Sequence, residues 1–338
     1  MTTAMDAMRA RLLALVGALR GRTVVVAGDF IADEFIYGQI GRVSREAPVL
    51  ILNYDSTEIV PGGAGNAASN AAALGGRVRA IGRTGRDDTG RRLVQVLRAR
   101  KIDVRGLARP AGYRTPTKTR ILAGGIHSAK QQVVRIDRAA SERADDGARR
   151  VFERGVLAAV RRCDALLVSD YGSGLVTPAL ASAAQRRMKR GAVVLVDSRY
   201  DLLKYRGMTA CTPNESEAEA ALGMRVGNNA RALERAGRAL LRRLRSRAVL
   251  ITRGSQGMAL FEPDRATVHI PISGSDQIAD VTGAGDTVIA TMTLALAAGA
   301  TFEDAARLAN CAGGIVVMKR GTATVSADEL RQAIAAGA

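Results

Sequence analysis

The chain contains no Trp, and Phe, Trp and Tyr together make up only 3% of it. A surface that binds single-stranded nucleic acid by stacking bases needs exposed rings, so that class is excluded. Histidine is scarce as well: there are 2, beside 3 cysteines, Cys163, Cys211 and Cys311. The cysteines are far apart, odd in number and set among apolar residues, with none of the spacings of a metal site. They predict buried, reduced thiols and a cytoplasmic location. No apolar run approaches the ~20 residues needed to cross a bilayer, so no membrane partner is expected. Residues 7–20 alternate apolar and basic positions with helical period, and no cleavage site follows, so they predict a helix and not a secretory leader.

Negative charge is also in short supply. Asp and Glu number 32 against 50 Lys and Arg, a formal net charge of +18. The basic residues are spread over helical stretches as doublets such as Arg149-Arg150, Arg161-Arg162, Arg186-Arg187 and Arg242-Arg243. No finger, basic zipper or RNP-like motif accompanies them, so they predict a solvated surface and no nucleic-acid partner. Such a field still draws in anionic small substrates.

What remains is ordinary globular material, 47% hydrophobic and 24% charged, long enough for one large α/β domain. The β-branched run Thr23–Ala27 predicts a buried parallel strand, and strands at 78–81, 165–169, 192–196 and 248–252 alternate with helices near 65–74, 88–100, 144–161, 178–190, 215–221 and 230–244. A hairpin over 258–270, two apolar helices over about 284–298 and 303–318 and a short helix after Ser326 complete the pattern. This predicts a single α/β domain over 1–338: a mostly parallel sheet covered by helices on both faces. Residues 34–60 and about 115–137, the second with a glycine-containing turn at 123–127, form a small antiparallel β-sheet lid. The Pro-Gly-Gly at 61–63 ends its first part. Ligands on such sheets sit beyond the carboxyl ends of the strands, where Gly28-Asp29, Ser169-Asp170 and Asp197 fall.

Two glycine-rich stretches carry chemistry. In Asp280-Val-Thr-Gly-Ala-Gly-Asp286, the small residues Gly283, Ala284 and Gly285 let backbone approach an anion, and the following helix offers its free N–H groups and positive dipole end. A carboxylate there, Asp286, can accept a hydroxyl proton, although an Asp at a helix start also serves as an ordinary cap. In Pro61–Gly75, Gly62 and Gly63 make a turn facing a ligand, and Asn66 can hydrogen-bond sugar hydroxyls; a tight strand-to-helix turn is the plainer alternative.

Together, in this order and at this separation, the stretches resemble the two signatures of the PfkB/ribokinase family of carbohydrate kinases, and the likeness extends from Val24 to about Leu330. The resemblance implies ATP-dependent phosphoryl transfer with Asp286 as base, Gly283–Gly285 as the anion hole, and Asp29 and Asp33 on sugar hydroxyls. Asn214-Glu-Ser-Glu217 resembles the element that positions Mg²⁺ through water, so Asn214 and Glu217 are the metal candidates. Thr252, Arg253, Gly254 and Gly257 resemble a nucleotide-contacting strand and turn, and Asn310, Lys319 and Gly321 an adenine pocket. Some relatives hold a monovalent cation near the anion hole, a further cofactor that the likeness allows.

Within the family, Gly28–Asp33, Arg42–Val49, Thr117–Arg120, Gln131–Asp137 and Ser169–Gly172 resemble the kinases of D-glycero-D-manno-heptose 7-phosphate, which phosphorylate the anomeric hydroxyl. Kinases of fructose phosphates, ribose or nucleosides, and a non-catalytic nucleotide- or sugar-binding protein, are the alternatives. Arg42, Lys118, Arg120 and Arg135 are candidates for the sugar's phosphate, since guanidinium offers forked donors; taken singly, each reads more readily as a surface charge, and it is their recurrence on the lid and neighbouring extended segments that favours the phosphate. Asp170 either joins the sugar or metal site or caps the next helix. Ser173 departs from the likeness, standing where a basic residue is expected. Bifunctional relatives carry a further nucleotidyltransferase domain, for which these 338 residues leave no room. Lids of relatives pair with one another, so exposed Val49, Ile51 and Ile59 imply a homodimer.

Overall fold

The computed structural model describes residues 2–124, 130–139, 144–274, 280–319 and 321–337. The chain starts with helix α1 (Thr2–Ala18) and strand β1 (Thr23–Gly28), then the long strands β2 (Phe30–Val43) and β3 (Leu50–Gly63). Next come α2 (Ala64–Ala73), β4 (Arg77–Arg83), α3 (Asp88–Ala99), β5 (Asp103–Ala108), β6 (Thr117–Gly124) and β7 (Gln131–Arg138). The middle of the chain forms α4 (Asp146–Ala159), β8 (Ala165–Asp170), α5 (Pro178–Arg187), β9 (Val193–Ser198), β10 (Ala210–Cys211), α6 (Glu215–Leu222) and α7 (Ala230–Leu244). It ends with β11 (Ala248–Thr252), β12 (Met258–Phe261), β13 (Val268–Ile270), α8 (Ala284–Ala297), α9 (Phe302–Val317) and α10 (Ala327–Ala336). None of the described helices is long and apolar enough to cross a membrane.

Nine described strands form the main sheet in the order β13-β12-β11-β10-β9-β8-β1-β4-β5. All its pairings from β11 through β5 are parallel, and the β12–β13 hairpin closes one edge antiparallel. The central strands are apolar because helices cover both faces: all six residues of β8 are buried. Strands β1 and β8 approach so closely that a Cβ on Gly28 would lie 2.0 Å from the Ser169 carbonyl oxygen. Helix α7 shows the expected stripe, burying Leu233, Ala236, Leu240 and Leu244, with Asn229 capping its start through the Ala232 amide. Helix α8 differs, being buried all round from Asp286 to Leu296, as befits a helix inside the core.

The lid is a four-stranded sheet, β3-β2-β6-β7. Its two hairpins are antiparallel, as expected, but β2 and β6 pair in parallel from Ala32–Thr117 to Gln39–Gly124. The sheet is therefore mixed, because β6 is reached by a long crossover through α2, β4, α3 and β5 rather than by a turn. Pro61-Gly62-Gly63 does not end the lid: it continues β3 opposite Phe30–Ala32. Proline is tolerated there because β3 is an edge strand. Ile59, expected to be exposed, is 6% exposed and belongs to the main core, Ile51 is half-buried, and Val49 is exposed. Strands β5 and the two-residue β10 carry no clear periodicity and were not expected. Beyond Gly124, the turn expected at 123–127 lies outside the described residues.

Candidate active site

Three adjoining cavities lie at the carboxyl ends of β1, β8, β9 and β11, two of them lined in part by the lid. The central one, about 300 Å³, is lined by Asp286 together with Asp33, Lys118, Arg120 and Asn214 among others. On one side it shares Lys118, Arg135, Tyr171 and Arg199 with a cavity of about 420 Å³. On the other it shares Thr252, Val281 and Gly285 with an apolar cavity of about 140 Å³.

Asp286 is the third residue of α8, whose start at Gly283 carries no side-chain cap. Its first turn is thus open to an outside anion. Gly283 has φ 80°, and a Cβ there would stand 2.4 Å from Asn66 Nδ2, so only glycine fits. Asn66, in the first turn of α2, donates from Nδ2 to Asp286 Oδ2 at 2.9 Å and to the Gly283 carbonyl at 3.2 Å. Asn70 Nδ2 donates in turn to Asn66 Oδ1 at 3.1 Å, fixing which way that amide points. The Tyr171 hydroxyl donates to Asp286 Oδ1 at 3.2 Å. Burial pushes the Asp286 carboxyl up to about 7, against the pull of the Asn66 and Tyr171 hydrogen bonds. A base poised there is matched to proton transfer near neutral pH. Asp280 braces the loop by accepting from the Thr282 amide at 2.9 Å and the Gly321 amide at 3.0 Å.

From the lid, Arg120 pairs with buried Asp33 at 2.5 Å and lies 5.4 Å from the Phe35 ring. Gly62 makes room for this carboxylate, since a Cβ would be 2.3 Å from Asp33 Oδ2. Lys118 Nζ sits 5.6 Å from the centre of the Tyr171 ring. Opposite, Asn214 and Glu217 close a capping box on α6: the Glu217 amide donates to Asn214 Oδ1 at 2.8 Å and the Asn214 amide to Glu217 Oε2 at 3.0 Å. Asp197 joins them on the cavity wall, its carboxyl held well above the usual range by burial and then by the charges of Asp286 and Glu217.

These features unite a buried carboxylate, an open helix N-terminus, a cationic branch and an apolar branch. Residues 24–329 match the family described as "pfkB family carbohydrate kinase". The chain belongs to this family. It is a sugar kinase, a phosphotransferase with an alcohol acceptor. It is 42% identical over 317 residues to the bifunctional protein HldE of Geobacter metallireducens, covering 92% of this chain and 62% of that one. The figures for HldE of Geobacter sulfurreducens are 42% identity, 90% and 61%. The chain thus spans somewhat under two thirds of these curated relatives. In fold it is similar to Arabidopsis thaliana ribokinase solved with ribose and ATP (TM-score 0.71, 19% identity, 93% of this chain and 99% of that one). It is also similar to Escherichia coli phosphofructokinase-2 with fructose-6-phosphate (TM-score 0.72, 21% identity, 94% and 99%).

In this pfkB chain the structure brings together most residues singled out from sequence. Asp33, Gly63, Lys118, Arg120, Arg135, Asn214, Glu217, Thr252, Gly283, Gly285 and Asp286 share the central cavity, and Ala284, Gly254, Gly257 and Asn310 line the apolar one. Other positions fall elsewhere. Arg42 is exposed at the far end of β2, away from the cleft. Both Asp170 oxygens are engaged, by the Tyr205 and Ser198 hydroxyls and the Gly172 amide, so it shapes the loop and lines none of the three cavities. Arg253 is turned away, donating to Glu215 at 2.8 Å and the Gly227 carbonyl at 2.9 Å. Lys319 is drawn to Glu329, and with Gly321 lines not the apolar cavity but a fourth one of about 690 Å³ beside Phe35, which shares Arg120, Thr282 and Thr322 with the central cavity. Asp29 borders the 420 Å³ cavity, but its oxygens accept from the Tyr171 and Ser173 amides and the Ser173 hydroxyl. Tyr171 and Arg199 were not singled out; both stand just beyond carboxyl ends of strands, the one signal that marks them.

Proposed function

We propose that the chain is an ATP-dependent kinase that phosphorylates the anomeric hydroxyl of D-glycero-D-manno-heptose 7-phosphate, giving the 1,7-bisphosphate. The observation that carries the reaction type is the buried Asp286 carboxylate at the open start of α8, between a cationic and an apolar branch. The heptose reading rests on the stretches quoted from sequence, and the 42% identity to the HldE proteins supports it. Asp286 takes the proton of the accepting hydroxyl and orients its oxygen for in-line attack on the terminal phosphoryl group of ATP. The 283–285 amides face the charge that develops on that group. Adenine fits the apolar cavity beside Asn310, and the lid excludes competing water.

The donors near the nucleotide side fit Mg²⁺. They are oxygens, from Asp197, Glu217 and Asn214, and no group of three His, Cys, Asp or Glu side chains among the described residues forms a closed cage. Mg²⁺ keeps several waters and takes one or two carboxylates together with substrate phosphates. When bound, it neutralises the nucleotide oxygens.

The test is ADP release with heptose 7-phosphate, fructose 6-phosphate and ribose, with ³¹P NMR locating the new phosphate. Heptose 7-phosphate phosphorylated at the anomeric position is expected; a clear preference for ribose or fructose 6-phosphate overturns the substrate. Because Asp286 must be ionised to act, kcat/KM is expected to fall about tenfold per pH unit below pH 7 and to level off above it. A flat profile between about pH 5.5 and 7.5 would remove Asp286 as the base.

The lid also exposes Ile40, Val43, Val49, Tyr54, Val134 and Ile136, each between 43% and 67% accessible. This apolar surface supports a homodimer joined through the lid. Sedimentation is expected to give twice the 35.5 kDa chain mass. Lysines at Val134 and Ile136 should return it to single chains; a wild type that sediments as one chain excludes the dimer.

A further inference from the structure

The loop after β8 delivers no cation to the cleft, since Ser173 directs both its hydroxyl and its amide to Asp29. Most of the cations lining the central cavity and the 420 Å³ cavity are also engaged: Arg120 with Asp33, Arg135 with Asp137 and Arg138 with Glu34. Two are not. Lys118 has the Tyr171 ring beneath it and no salt bridge among the described residues. Burial holds its ammonium below the usual range despite Asp33, and the nearby guanidinium groups of Arg199, Arg135 and Arg120 push the same way. Arg199, one residue past β9, is exposed, and its side chain makes no hydrogen bond or ion pair among the described residues. It lines both the central cavity and the 420 Å³ cavity. Two uncommitted cations on one cleft repel each other, and a dianion between them reverses the sign of that interaction.

We infer that Arg199, together with Lys118, grips the phosphate already carried by the acceptor sugar and so sets the preference for phosphorylated over unphosphorylated sugars. This rests on the sugar-phosphate reading above. Guanidinium presents forked donors to phosphate oxygens, so Arg199 supplies from β9 the charge that Ser173 withholds from the β8 loop. The rival position for the same side chain is the phosphoryl group in transfer, because the central cavity also holds Asp286.

Kinetics of Arg199→Ala and Arg199→Lys with heptose 7-phosphate, fructose 6-phosphate and ribose separate the two. The inference expects KM for the phosphorylated sugar to rise about 10–100-fold in Arg199→Ala, the loss of one charge-assisted contact, with kcat and KM for ATP within about threefold. Arg199→Lys should recover part of the loss, activity on ribose should be unaffected, and the melting temperature should be unchanged. Equal falls in kcat with every acceptor, or a raised KM for ATP, would move Arg199 to the transferred group and overturn the inference while leaving the proposed function standing. A wild type that turns over ribose but no sugar phosphate overturns both.

Discussion

Asp286→Asn is expected to lower kcat by about 10²–10⁴-fold while leaving the affinity for ATP within a few-fold of wild type. The substitution is isosteric, so Asn66 and Tyr171 keep a polar partner at the same place, and the apolar cavity beyond Gly285 is untouched. What disappears is the ability to take a proton. Steady-state ADP release beside nucleotide titration of the same preparation checks both halves. A variant that keeps a tenth or more of wild-type turnover would mean that proton removal is not what Asp286 contributes.

The second large effect is expected at Gly283. An alanine there meets two penalties. The left-handed backbone at φ 80° costs a non-glycine residue about 1–2 kcal/mol, and the new Cβ would stand 2.4 Å from Asn66 Nδ2. Asn66 cannot swing aside cheaply, because its amide bridges the Gly283 carbonyl and Asp286 while Asn70 holds its oxygen. The start of α8 has to shift instead, and a displacement of about 1 Å at a reacting group costs on the order of 10²-fold. Gly283→Ala should therefore lose about that much kcat/KM and melt at a lower temperature. Gly285→Ala is the control: it has no positive φ and nothing within 4 Å of its Cβ, so its melting temperature should match wild type. Any activity it loses then reports how closely a ligand approaches the backbone. If Gly283→Ala works as well as wild type, the Asn66–Gly283 contact does not position the base.

Most of the fold was legible because its signals are local. Short apolar runs gave β1, β8, β9 and β11, and the spacing of apolar residues gave α3 and α7. Direction was not legible: alternation along β2 and β6 reads the same whether they pair parallel or antiparallel, and only the long crossover between them decides. Pro61-Gly62-Gly63 carries the residues of a turn, yet those glycines serve close approach inside a strand, under Asp33 and against the Asp29 carbonyl. In the site, residue type and rough location were readable, but the partner that claims each side chain was not. Asp170 is taken up by Tyr205, 35 residues later, and Arg253 by Glu215, 38 residues earlier. Arg199 escaped notice for the opposite reason, since an arginine after a strand looks like any other surface charge until the cleft forms around it.

Strand β3 passes into α2 without an intervening residue, Gly63 being followed directly by Ala64. One uninterrupted stretch of backbone therefore joins the lid, through Gly62 under Asp33, to Asn66 at the base. On the proposed function, a sugar that drew the lid down would pull on this same stretch of backbone, and so on the Asn66 hydrogen bond that opposes the effect of burial on Asp286.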